Sequence, residues 1–192
     1  MDIKNATKFF CWMLMAAAVF SLEAPARVGG ARAQGGGVKA APEMERLQKM
    51  YVGTWDYTET YAKTAMSPDG GSGAGVYTSE LGPGGNSILN RFHSKGNAGD
   101  YEGMLVMTWD PNEKAYKSFV FGNSFPGCVT QTGQFEGDSL VYRSELTMAG
   151  MKIKLRNVTR EVSPGKIVSE QYLTPEGEVE KLFVTVEASK RK

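Results

Sequence analysis

Trp109-Asp110-Pro111-Asn112-Glu113-Lys114-Ala115-Tyr116-Lys117-Ser118 places a turn between two runs in which apolar and polar residues alternate. Proline pre-sets φ for a reversal, and Asp and Asn side chains hydrogen-bond the nearby backbone, so the chain turns back here for a physical reason. The flanking runs must then pair antiparallel. The same grammar recurs about every ten residues, predicting strands near 53–62, 74–81, 86–94, 100–109, 115–122, 127–136, 139–148, 151–162, 166–173 and 179–188. The connections carry turn chemistry, among them Ser67-Pro68-Asp69-Gly70-Gly71, Gly82-Pro83-Gly84-Gly85, Gly137-Asp138 and Ser163-Pro164-Gly165.

Alternation is sharpest in Met151-Lys152-Ile153-Lys154-Leu155-Arg156, where apolar side chains face one way and cations the other. Leu105 and Met107 against Val106 and Thr108 repeat the pattern, as do Leu182, Val184 and Val186 against Phe183, Thr185 and Glu187. An antiparallel sheet with one wet face must bury the other. Closing about ten sequential strands into a meander barrel does so and removes the edges. The expected fold is therefore all-β, a lipocalin-like or fatty-acid-binding-like barrel. Ahead of it, Met44, Leu47, Met50 and Tyr51 recur at helical spacing, with early acids and a following Gly53, which predicts a short helix laid across one barrel end.

Residues 1–33 read as an export signal: Lys4 and Lys8 precede the uncharged run Phe9–Leu22, and small residues follow, with cleavage after Ala26 or, preferred, after Ala33. The run is short for a membrane span, which takes about 20 apolar residues. Residues 34–42 are Gly- and Ala-rich without periodicity, a flexible linker, and 43–192 form one domain. Cleavage after Ala33 removes four of 22 basic and two of 21 acidic residues, leaving 18 against 19. That balance offers no electrostatic footprint for nucleic acid, and the tail Lys190-Arg191-Lys192 reads as a solvated chain end. The expected location is periplasmic or extracellular, with no stable membrane span after cleavage. Only Cys128 then remains, so no intramolecular disulfide forms, and the thiol is expected to be half-buried and structural.

A single histidine, His93, excludes paired-histidine zinc sites, and no nucleophile elbow or phosphate loop is present. No metal or cofactor is expected. A ten-stranded barrel holds a cavity unless large side chains fill it. Trp55, Tyr57, Tyr101, Tyr116, Tyr142, Phe92, Phe119, Phe121, Phe135 and Trp109 suffice either to fill or to line it, and Met104 suits an irregular apolar wall. The candidate binding residues are Trp55, Tyr57, Arg91, His93, Met104, Trp109, Tyr116, Phe121, Arg143 and Glu145. Arg143 and Glu145 alternate on one strand, Glu170 and Tyr172 on another; each pair forms either a solvated ladder or an inward polar site. The expected function is binding a small, largely apolar ligand without transforming it. An isomerase- or hydrolase-type enzyme using His93 with Arg91 or Glu145 is the alternative, and an envelope partner-binding module with an apolar outer face is the third reading.

Gly103 to Tyr116, with its apolar strand, aromatic-Asp pair, short turn and Lys-x-Tyr, resembles the most recognisable block of a bacterial family of uncharacterised lipocalin-like proteins. Leu47-x5-Gly53-Thr54-Trp55, Leu81-Gly82-x-Gly84-Gly85 and Arg156-x-Val158 are similar too, so the resemblance spans nearly all of 43–192. Thr108 and Asn86 depart from it, standing where a glycine and a basic residue are common. The resemblance implies a lipocalin-like barrel of unknown activity and no catalytic residue set. A ten-stranded haem barrel is similar in outline, but this chain has no histidine near its C-terminus for the proximal ligand.

Overall fold

Helix α1 covers Glu43–Tyr51 in the computed structural model, which describes residues 39–64, 67–97, 99–148 and 150–192. The export signal of residues 1–33, and the linker as far as Val38, lie outside the described residues. Glu43 and Glu45 occupy the first turn of α1 and Lys49 the last, each sign matching the helix dipole at its end. Its apolar stripe, Met44, Leu47, Met50 and Tyr51, is buried. Among the described residues no helix is long and apolar enough to cross a membrane.

Ten strands follow among the described residues: β1 (Gly53–Tyr61), β2 (Gly71–Leu81), β3 (Ser87–Gly96), β4 (Gly99–Asp110), β5 (Ala115–Gly122), β6 (Val129–Glu136), β7 (Ser139–Met148), β8 (Met151–Ser163), β9 (Lys166–Pro175) and β10 (Lys181–Lys190). Each pairs antiparallel with its chain neighbours, and β1 pairs with β10, so the meander closes into a barrel without edges. The hairpin of the opening stretch is held by Asp110, whose Oδ1 accepts hydrogen bonds from the backbone N–H of Asn112 at 2.9 Å and of Glu113 at 3.2 Å. Lys114, at φ 50°, completes the reversal, and Trp109 pairs with Tyr116 with their rings edge to face at 4.9 Å.

The helix plugs the end where β1 starts and β4 ends. Tyr116 Oη donates to the Glu43 carbonyl at 3.0 Å, Arg46 Nη2 to the Gly137 carbonyl at 2.8 Å, Gln48 Nε2 to the Gly85 carbonyl at 3.2 Å, and Trp55 Nε1 to the Tyr51 carbonyl at 2.8 Å. These four bonds tie the plug to β5, to the β6–β7 and β2–β3 turns, and to β1. Leu47 of the plug and, beneath it, Ile88, Leu140, Trp55 and Met107 are at most 1% exposed and form the core with Tyr116, Tyr142 and Ile167.

Three sequence expectations change here. The strand β2 starts at Gly71, not 74, because Gly71, Gly73 and Gly75 continue the ladder against Tyr61, Glu59 and Tyr57. A side chain on Gly75 would run into the His93 carbonyl, and one on Gly103 into the Phe121 carbonyl and the Phe92 ring, so these glycines allow tight strand curvature. The register slips between Leu182 and Val184, a bulge that sends Leu182 outward, 37% exposed, while Val184 and Val186 point inward. Finally, the C-terminal tail is not simply solvated: Arg191 grips Asp56 with bonds of 2.9 and 2.6 Å and its N–H bonds the Thr54 carbonyl.

Candidate functional site

Cross-strand partners share a face, so the register identifies every side chain that points into the barrel. On β1 these are Trp55, Tyr57, Glu59 and Tyr61, opposite Tyr77, Gly75, Gly73 and Gly71 of β2. Trp55 and Tyr57 lie toward the plugged end, where Trp55 stacks on Tyr77 at 5.7 Å. Glu59 and Tyr61 lie toward the opposite mouth. Glu59 occupies the space that a side chain on Gly73 would take: a Cβ there would lie 2.5 Å from Glu59 Oε1. Ser94 of β3 donates its hydroxyl to that same oxygen at 2.7 Å. Tyr57 and Tyr61 stand beside this carboxylate, and the Tyr61 ring is centred 5.6 Å from Phe183 and 6.2 Å from Tyr101. Burial, and then the charge of Glu59, push the Tyr61 phenol pKa upward.

A second polar group faces inward from β7, across the barrel in strand order. Tyr142 and Ser144 sit at successive inward positions, opposite Asn157 and Leu155 of β8. The Tyr142 ring lies against Gly133 of β6. Among the described residues, neither the Tyr142 hydroxyl nor Ser144 Oγ has a hydrogen-bond partner, although both atoms are buried. Burial raises the Tyr142 pKa well above that of a free phenol. Nearby, Asn157 Oδ1 accepts from Thr159 Oγ1 at 3.1 Å and Ser169 Oγ at 2.9 Å, and Ser118 Oγ donates to Gln131 Oε1 at 3.3 Å. The interior therefore divides: an aromatic and aliphatic half under the plug, and a half toward the mouth that mixes polar groups, glycines and apolar walls.

Trp55, Tyr57, Trp109 and Tyr116, four of the residues expected to line a ligand, do point inward. The other six are on the outside, which corrects the expectation for them. Arg91 pairs with Glu80 at 2.7 Å, and His93 lies exposed between Val76 and Glu102 on neighbouring strands. Arg143 pairs with Glu136 at 2.7 Å, and Glu145 borders a surface groove of about 370 Å³ with Lys152, Lys154, Thr174 and Glu178. Met104 and Phe121 sit side by side on the outer face, next to the Val106–Phe119 pair. The reason is parity: each of the six shares its face with solvated charges on the same or the next strand, and barrel interiors take the opposite set. Since Arg91 and His93 are on β3 and Glu145 on β7, they assemble no common acid–base site. Cys128, expected half-buried, is exposed in the β5–β6 connection just after Gly127, whose φ is 83°. Glu170 and Tyr172 form an outward ladder with Arg160 and Arg156.

The sequence reading passed over Glu59, Ser94 and Ser144. For Glu59 a signal was present: Asp56, Thr58 and Thr60 are all polar, so the aromatic set Trp55, Tyr57 and Tyr61 must face inward and carries Glu59 with it. Among the described residues no three His, Cys, Asp or Glu side chains converge as metal ligands.

The barrel is similar to that of Rv2717c from M. tuberculosis, at a TM-score of 0.58 and 9% identity, covering 80% of this chain and 100% of the other. It is also similar to the S-type phycobiliprotein lyase CPES from Guillardia theta, at a TM-score of 0.51 and 12% identity, covering 78% and 91%. At such identities the likeness concerns the fold alone. A comparison with curated proteins finds no match. Residues 39–190 match the model of DUF1579, described as a protein of unknown function, and with plug and barrel both inside that span the chain belongs to this family.

Proposed function

We propose that this protein binds one small, largely apolar molecule inside its barrel, without transforming it, and that it does so outside the cytoplasm after removal of the N-terminal leader. One observation carries the binding: Phe92, Leu105, Val120, Leu155 and Val186 point inward from the middle of their strands yet remain partly exposed. Exposure at inward positions supports a lumen with free space. Their apolar surface and the unpaired Tyr142 and Ser144 hydroxyls match the usual make-up of a ligand site, an apolar wall with a few polar groups. The export half of the reading rests on the basic, then apolar, then small-residue order of residues 1–33.

The test is titration of the purified protein with N-phenyl-1-naphthylamine, a neutral apolar probe that brightens on leaving water. Saturable one-site binding is expected, and Ser144→Trp, which fills the lumen from β7, should abolish it while the barrel still unfolds cooperatively. Absence of saturable binding, or binding indifferent to Ser144→Trp, overturns the proposal. Cell fractionation of the host decides export separately, with the shortened protein expected outside the cytoplasm.

A further inference from the structure

Many of the exposed carboxylates are matched by a cation. Glu80, Glu136, Glu170, Glu180 and Asp56 each meet an arginine, and Glu113 and Glu178 a lysine. Glu59 differs. It points into the lumen, is 7% exposed, and is the single buried acid among the described residues. No lysine, arginine or histidine among them stands within ion-pair distance, and His93 and Lys95, two strands away, project from the outer face of β3. Its hydrogen bonds come from neutral hydroxyls, that of Ser94 at 2.7 Å and that of Tyr61.

A carboxylate withdrawn from water is costly unless a positive charge or several donors compensate it. Neutral hydroxyls supply donors but no opposing charge. Beside Glu59 stand Tyr57 and Tyr61, and the Tyr61 ring is in turn in contact with Tyr101 and Phe183 at the mouth-side half of the barrel. Aromatic faces attract cations and offer little to anions. Gly73 makes the arrangement possible, since any larger residue there would collide with the Glu59 side chain. A buried acid with no cationic partner, set beside aromatic rings, favours a positive guest.

We propose that the lumen's ligand carries a cationic head group of the protonated-amine class, received by Glu59 among these rings, with its apolar body extending toward Phe92, Leu105 and Val186. The inference rests on the lumen-binding reading above and adds the ligand's charge. Its chemistry is selective in both directions: the carboxylate neutralises an ammonium in a low-dielectric setting and repels a carboxylate of the same shape.

Three probes with one body separate the possibilities: 4-phenylbutylamine, 4-phenylbutanol and 4-phenylbutanoate, titrated calorimetrically into the full-length mature protein at neutral pH. The amine should bind about tenfold tighter than the alcohol, with the carboxylate weakest. Glu59→Gln should remove the preference, bringing the amine and the alcohol to similar affinity. If that variant fails to fold, Tyr61→Leu serves, and should weaken the amine selectively. Equal affinity for amine and alcohol, tightest binding of the carboxylate, or a preference that survives these variants overturns the cationic head group while lumen binding stands. If none of the three binds, both readings fall.

Discussion

Tyr142 and Tyr116 both point into the barrel, and the same substitution to phenylalanine should move stability in opposite directions. The Tyr142 hydroxyl is buried without a partner. Leaving a buried polar group unsatisfied costs about 1–3 kcal/mol, so deleting the oxygen recovers energy of that order. The Tyr116 hydroxyl donates to the Glu43 carbonyl at 3.0 Å and ties the helical plug to β5. Its loss should cost about 0.5–1.5 kcal/mol. For a domain of this size 1 kcal/mol corresponds to about 2–4 °C in Tm. Tyr142→Phe should therefore melt several degrees above wild type and Tyr116→Phe a few degrees below it. Urea unfolding followed by tryptophan fluorescence is the assay, with Cm moving in each direction and m unchanged. A destabilised Tyr142→Phe would show that its hydroxyl is satisfied in the empty protein, and the β7 wall would lose its standing as a ligand contact. If both variants shift alike, the effect belongs to the ring's packing and not to hydrogen bonding.

Leu47→Ala, at a fully buried position on the inner face of the plug, should destabilise by about 2–5 kcal/mol in the same urea assay. Alkali should unfold the protein. Burial raises the Tyr51 pKa from 10.0 to about 12, with Tyr77 and Tyr142 also raised, so the folded state holds phenolic protons that the unfolded chain releases. Stability is then intact below about pH 10 and falls by up to ~1.4 kcal/mol per pH unit for each such phenol as pH climbs further, read as phenolate absorbance appearing together with loss of circular dichroism. Cys128, being exposed, should react stoichiometrically with a dithiobis-nitrobenzoate reagent in the native protein, and protection until unfolding would contradict its placement in the β5–β6 connection.

The barrel was legible in the sequence because its determinants are local. Turn residues every ten or so positions punctuate strands whose ends agree with the structure to within about three residues, and the helical stripe of Met44, Leu47, Met50 and Tyr51 names its own buried face. The lumen was less legible because facing depends on parity relative to a partner strand. In Ile88 to Lys95 nearly every side chain could suit either face, and only pairing with β2 and β4 puts Asn90, Phe92 and Ser94 inside and Arg91 and His93 outside. The bulge at Leu182 shows the same limit from the other side: one extra residue reverses the face of an apolar side chain, and no local pattern announces it.

The stretch Gly71-Ser72-Gly73-Ala74-Gly75 joins the part of the fold hardest to read in the sequence to the lumen wall beside Glu59. Its glycines look like a loop, and β2 was expected to start only after them. In the barrel they are the inward positions of a strand: the missing side chain of Gly73 leaves room for Glu59 of β1, and that of Gly75 lets the β3 backbone approach closely. A strand built for stability alone would place β-branched residues there, and those would pack against β1 and fill the same space. Weak strand formers at three successive inward positions therefore make sense as the cost of an open half-barrel, offset at the other end by the plug and the ring-to-ring packing of Trp55, Tyr77, Trp109 and Tyr116. On this view Gly73→Val should displace Glu59 and cost the protein its preference for an amine over an alcohol.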